Sequence, residues 1–120
     1  MANIAYQAGP VANPAAAGDI PVITMTAGVI TGSGGDLIDI STGRVVIIAQ
    51  NTDAAVAYDI VINGEAGAEG RDVSITKELT AGQIAIFGPV PGPGWMTAAG
   101  KLSVSVENVA IKWGVINLHP

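Results

Sequence analysis

Apolar and polar residues alternate along most of this chain with a period of two. Lys101 to Val109 is the clearest case, with Leu102, Val104 and Val106 set against Ser103, Ser105 and Glu107. That period places successive side chains on opposite faces of a strand, whereas a helix repeats near 3.6. The same pattern predicts a strand at Asp36–Ile40, with Ile38 and Ile40 opposed to Asp39. It predicts another at Ala55–Asn63, with Val56, Tyr58, Ile60 and Ile62 on one face and Ala57, Asp59 and Val61 on the other. A last strand runs through Ile111, Trp113 and Val115, which puts Trp113 in the core. Arg44–Asn51 holds the continuous run Val45-Val46-Ile47-Ile48, which suits a strand covered on both faces. With Ala55–Asn63 it reads as an antiparallel hairpin across Thr52-Asp53-Ala54.

Weaker patterns add strands at Asp19–Ile30, with Pro21 near its start, at Asp72–Thr80 with Val73 and Ile75 inward, and at Gln83–Phe87 with Ile84 and Ile86 toward the core. From Gly88 to Trp95 the chain packs three prolines and three glycines into a stiff corner, and only Met96–Gly100 reads as a short helical turn. About eight strands with turns at roughly 8–12-residue spacing predict an all-β fold. The expected form is a two-sheet antiparallel β-sandwich, or jelly-roll-like domain, over residues 19–120. Residues 1–18 carry no charge, include Pro10 and Pro14, and read as an extended N-terminal arm. Their aperiodic Ile4, Tyr6 and Val11 point to contact with another subunit.

Composition sharpens this picture. At 120 residues the chain is one domain. Fifteen Ile and thirteen Val against four Leu favour strands, because β-branched side chains lose χ1 freedom in a helix. Charged residues are 12% of the chain, well under the roughly 25% of an average soluble protein. Surface beyond one monomer's core is therefore expected to be buried against other subunits or a partner. Net charge is −5, and Arg44, Arg71, Lys77, Lys101 and Lys112 are scattered, which argues against nucleic acid as a partner. No apolar run is long enough to span a bilayer and no signal-peptide pattern opens the chain, so no membrane is expected and the protein is read as cytoplasmic or part of a particle assembled there. There is no cysteine for a disulfide, thiolate or zinc site.

Candidate chemistry is sparse. His119, beside the terminal proline, has no nucleophile or carboxylate partner in sequence and reads as solvated tail. Glu65, Glu69 and Asp72, and Asp36 with Asp39, lack the spacing of a calcium loop and read as solubilising charge. No catalytic residue, metal or cofactor is predicted. Trp95 sits in the Gly/Pro corner, where it caps a sandwich end or anchors a subunit contact. A different class of reading makes Trp95 or Tyr58 a stacking platform for sugar rings in a carbohydrate-binding module.

Val45–Asn51, then Arg71-Asp72-Val73-Ser74-Ile75, Phe87-Gly88-Pro89-Val90-Pro91 and Gly100-Lys101-Leu102-Ser103-Val104-Ser105 follow one another in a telling order. In that order, from about Arg44 to Leu118, the chain resembles small virion proteins of tailed bacteriophages of the head decoration, or capsid cement, type. The resemblance implies a non-enzymatic structural protein on the capsid surface, assembled in the host cytoplasm. Its implied partner is the major capsid protein, and it implies a homo-oligomer, most often a trimer. A tail or fibre component shares the same pattern.

Overall fold

Ile111, Trp113 and Val115 share one face of the last strand, and all three are buried. The computed structural model, which describes residues 2–9, 15–20, 22–63, 74–89 and 100–118, builds a two-sheet sandwich around that face. Its strands are β1 (Ala2–Ile4), β2 (Gln7–Ala8), β3 (Thr26–Ala27), β4 (Asp36–Asp39), β5 (Val45–Asn51), β6 (Tyr58–Asn63), β7 (Ser74–Leu79), β8 (Ile84–Phe87), β9 (Lys101–Val106) and β10 (Ile111–Asn117). Sheet A runs β1-β4-β9-β6-β7, and sheet B runs β2-β10-β5-β8 with β3 also against β10.

The eight strands β3–β10 are antiparallel and nested: β3 pairs with β10, β4 with β9, β5 with β8, and β6 with β7. Two further ladders, β10 with β5 and β6 with β9, roll this long hairpin into two layers. The all-β, two-sheet antiparallel sandwich of about eight strands expected from the alternation is therefore the observed architecture. Val45, Ile47 and Ala49 of sheet B meet Ile60, Leu102, Val104 and Val106 of sheet A in one buried apolar cluster. Each of these Val, Ile and Leu side chains contributes roughly 1.5–3 kcal/mol on burial.

Several local expectations are corrected. The predicted β5–β6 hairpin does not form, because the two strands lie in different sheets. The buried Asn51 side chain ends β5, donating from Nδ2 to the Val56 and Leu79 carbonyls at 2.9 Å each and accepting the Asp53 N–H at 3.0 Å. Asp53 Oδ1 then accepts the Ala55 and Val56 N–H groups, which hold its carboxyl below the ordinary 3.8. These bonds shape a crossing between layers in place of a tight turn. The continuous run in β5 is buried on one face and only half-buried on the other.

The predicted strand over Asp19–Ile30 shrinks to β3. Upstream of it, Thr24 takes both its backbone bonds from the Gln7 side chain, N–H to Oε1 and C=O from Nε2, each at 3.0 Å. A side-chain amide there replaces a strand neighbour. Residues 2–8 are extended, and within them β1 runs parallel to β4 and β2 parallel to β10, so this stretch ties both sheets together.

The phase of β8 is also reversed. Register with β5 sets Phe87 beside Ile47 and Ala85 beside Ala49, so Ala85 and Phe87 face inward. Ile84 and Ile86 face out, 56% and 68% exposed. Ile75 lies on the inner side of β7 beside Ile62, yet is exposed like most of that edge strand.

Candidate interaction face

The sandwich has two outer faces of opposite character. On sheet A, the Asn63 side chain bridges three strands, accepting from Ser74 Oγ at 3.1 Å and donating to Ser103 Oγ at 3.3 Å. Lys101 Nζ stands 3.8 Å from Asp39 across the β4–β9 pair. Thr76 and Glu78 extend this polar surface along β7.

Sheet B presents the reverse. The ladder pairs Val46 with Ile116, Ile48 with Ile86 and Gln50 with Ile84 on its outer side, so five of these six side chains are apolar, while Lys112 beside Gln50 adds a cation at one end of the face. Gly114, opposite Ile48, is where residues 23–25 cross the face. A Cβ built on Gly114 would lie 2.6 Å from Met25 Sδ and 3.1 Å from Ile23 Cγ2, so the bare glycine leaves room for those two side chains to pack against the strand. Ile23 and Met25 add to the apolar surface while staying half-buried. Ile84 and Ile86 are exposed while Val46, Ile48 and Ile116 are half-buried, and an apolar patch of this kind marks an interaction site more often than scattered surface isoleucines do.

Of the contact residues predicted from sequence, Ile4 is buried within the protein's own core and Tyr6 packs partly against it. β1 places Ile4 beside Ile38, which accounts for its burial without a second subunit. Val11 and Trp95 lie outside the described residues, as do His119, Glu65, Glu69 and Asp72. Tyr58 is half-buried against the core, and Trp113 is wholly buried and offers no free ring face for a sugar.

The two acids of β4 separate by parity. Asp36 points inward, is 0% exposed, and accepts the Val29 N–H at 2.8 Å. It is a structural latch rather than the solubilising charge expected, and its position in phase with Ile38 and Ile40 was the signal that marks it as buried. Asp39 points outward, and its carboxyl is held below the ordinary 3.8, first by the Ser41 N–H, then by the Ser41 hydroxyl, with Lys101 adding a smaller pull against partial burial. A lowered folded value means this carboxylate contributes stability above pH 3.8, lost as pH falls through the lowered value. Acid unfolding of Asp39→Asn is therefore expected to show a shallower loss of stability below that pH than the unaltered chain. Identical acid limbs in the two proteins would contradict the assignment.

A shallow depression is lined by Ile30, Thr31, Asp59 and Glu107. Its polar groups serve the fold: Thr31 Oγ1 donates to Ser105 Oγ at 2.9 Å, and Glu107 Oε1 accepts the Asp59 N–H at 3.0 Å. Among the described residues no group of three or more His, Cys, Asp or Glu is placed to hold a metal ion, and no helix is long and apolar enough to cross a membrane. No protein family, curated protein or solved structure matches the chain.

Proposed function

We propose that this chain is a non-enzymatic structural protein of a phage particle, a decoration protein that binds the head surface and stabilises the shell. The observation that supports it is the contrast between the two outer faces: polar and hydrogen-bonded on sheet A, apolar on sheet B. The partner is the major capsid protein, met through Val46, Ile48 and Ile116, while sheet A faces solvent. Such a contact is modest in one copy, but a shell repeats it by symmetry and gains from multivalency. The nested pairing of β3–β10 supports the finer reading of the fold as a jelly roll, an architecture shared by viral capsid and lectin domains. The resemblance of Val45–Asn51 and the later segments to capsid cement proteins points the same way.

The direct test is sedimentation of the purified protein with unexpanded and expanded heads of the phage that encodes it. Saturable retention on heads, and shells that release DNA at a higher temperature when coated, are expected. Protein that stays in the supernatant with both kinds of head overturns the proposal.

A further inference from the structure

One side of the sandwich is closed and the other is open. β1 and β2 lie along β4 and β10 on the closed side, while β7 and β8 end the two sheets on the other. Among the described residues no strand pairs with the outer edge of β7 or β8. The two edges differ. β7 exposes Lys77 and Glu78, the kind of charge that discourages edge-to-edge pairing. From Leu79 to Pro89 the chain carries no charge, and β8 exposes Ile84 and Ile86.

The ladder determines which backbone groups of β8 face outward. The Asn51 N–H donates to the Gln83 carbonyl at 3.0 Å, and Ala85 and Phe87 stand opposite Ala49 and Ile47. Hydrogen-bonded residues alternate along an antiparallel pair, so Gln83, Ala85 and Phe87 bond toward β5. The N–H and C=O groups of Ile84 and Ile86 point away from the sheet.

We propose that β8 is a self-pairing edge, on which a second copy of this chain docks its own β8 antiparallel about a two-fold axis at Ala85. Only registers that oppose residues of equal parity keep inner faces with inner faces. The register centred on Ala85 sets Ile84 against Ile86 of the second copy, and Ile86 against its Ile84, and uses every outward backbone group of both residues. The self-complementary register favours a second copy as the occupant. Leu79–Pro89 carries no charge, so β8 meeting β8 leaves no ion to desolvate, although the −5 of each chain opposes approach at long range. Joining two B sheets also makes one continuous apolar outer face from two. Such an isologous contact gives a dimer, where the resemblance to capsid cement proteins implies a trimer.

The test uses the full chain, which has no cysteine of its own. In the proposed register Ala85 faces its symmetry mate as a non-hydrogen-bonded pair, about 4.5 Å apart at Cα, within disulfide range. Ala85→Cys is therefore expected to form a covalent dimer under mild oxidation, and Gln50→Cys on the neighbouring strand is not. By sedimentation the unaltered chain is expected at twice the monomer mass. Ile84→Pro removes one outward N–H at the first strand position, where proline is tolerated, and is expected at monomer mass with an unchanged circular dichroism spectrum. Should that variant unfold, Ile86→Lys provides the same readout from an exposed position. An unaltered chain that is monomeric, or trimeric and indifferent to Ile86→Lys, overturns the proposal, as does Ala85→Cys that fails to cross-link. A dimer that ignores phage heads would overturn the capsid reading and leave the self-pairing standing.

Discussion

Trp113→Ala is expected to lose about 3–5 kcal/mol of folding stability, the range for truncating a large buried aromatic. The ring is 0% exposed and sits where the sequence leaves room for it. Its cross-strand neighbour is Ala49, and a Cβ on Gly28 would lie 3.1 Å from its Nε1 and 2.8 Å from both methyls of Val106. Small residues on two sides mean that removing the ring leaves a cavity with few atoms free to collapse into it. Against a total of roughly 5–15 kcal/mol for a domain, that loss is large. The ring's Nε1 is buried with no partner among the described residues. Trp113→Phe, which deletes that unsatisfied donor, is therefore expected to lose much less. Urea unfolding provides the check: a lower midpoint at unchanged slope for the Ala variant, and a midpoint closer to the unaltered chain for Phe. An Ala variant within about 1 kcal/mol of the unaltered chain would show that the ring is not the anchor of this core.

Asn51→Leu is expected to cost about 2–4 kcal/mol despite its similar volume and greater apolarity. Asn51 belongs to β5 in sheet B, yet its Nδ2 reaches the carbonyl of Leu79 in sheet A. Leu79 is 2% exposed, so its carbonyl has no ready access to water once the amide is gone. The Val56 carbonyl lies in an exposed connection and rehydrates more cheaply. Most of the loss is therefore assigned to the Leu79 bond. Asn51→Asp keeps the acceptor for the Asp53 N–H but removes both donors and buries a charge, so it is expected to be worse than Leu. Equal stability of Asn51→Leu and the unaltered chain would contradict the role of this amide as the link between layers.

These two residues also show what was legible in the sequence. Trp113 was readable because it falls in phase with Ile111 and Val115, and period two is imposed directly by the pleat. Asn51 was readable by the same rule, being in phase with Val45, Ile47 and Ala49, but its polarity makes it look like a turn residue. β8 was not readable from its own residues. In Ile84-Ala85-Ile86-Phe87 both phases are apolar, and isoleucine looks like the better core residue. Only the register with β5, a long-range property, turns Ala85 and Phe87 inward. The candidate face was hidden for the same reason, since it is made of outward positions on β5, β8 and β10 that no local pattern brings together. The β5–β6 hairpin failed because nearness in sequence suggests pairing, whereas the Asn51 and Asp53 side chains turn the chain into the other sheet.

The contrast between the two outer faces is tested most directly by head binding with lysines placed on each face in turn. Val46→Lys with Ile116→Lys charges a cross-strand pair on sheet B away from β8, while Thr76→Lys with Ser103→Lys charges sheet A. Retention of each purified protein on phage heads is measured across a concentration series. The unaltered chain and the sheet A variant are expected to saturate heads alike, and the sheet B variant to need at least about tenfold more protein, the equivalent of roughly 1.4 kcal/mol. Undiminished binding by the sheet B variant, or loss of binding confined to the sheet A variant, would contradict the account.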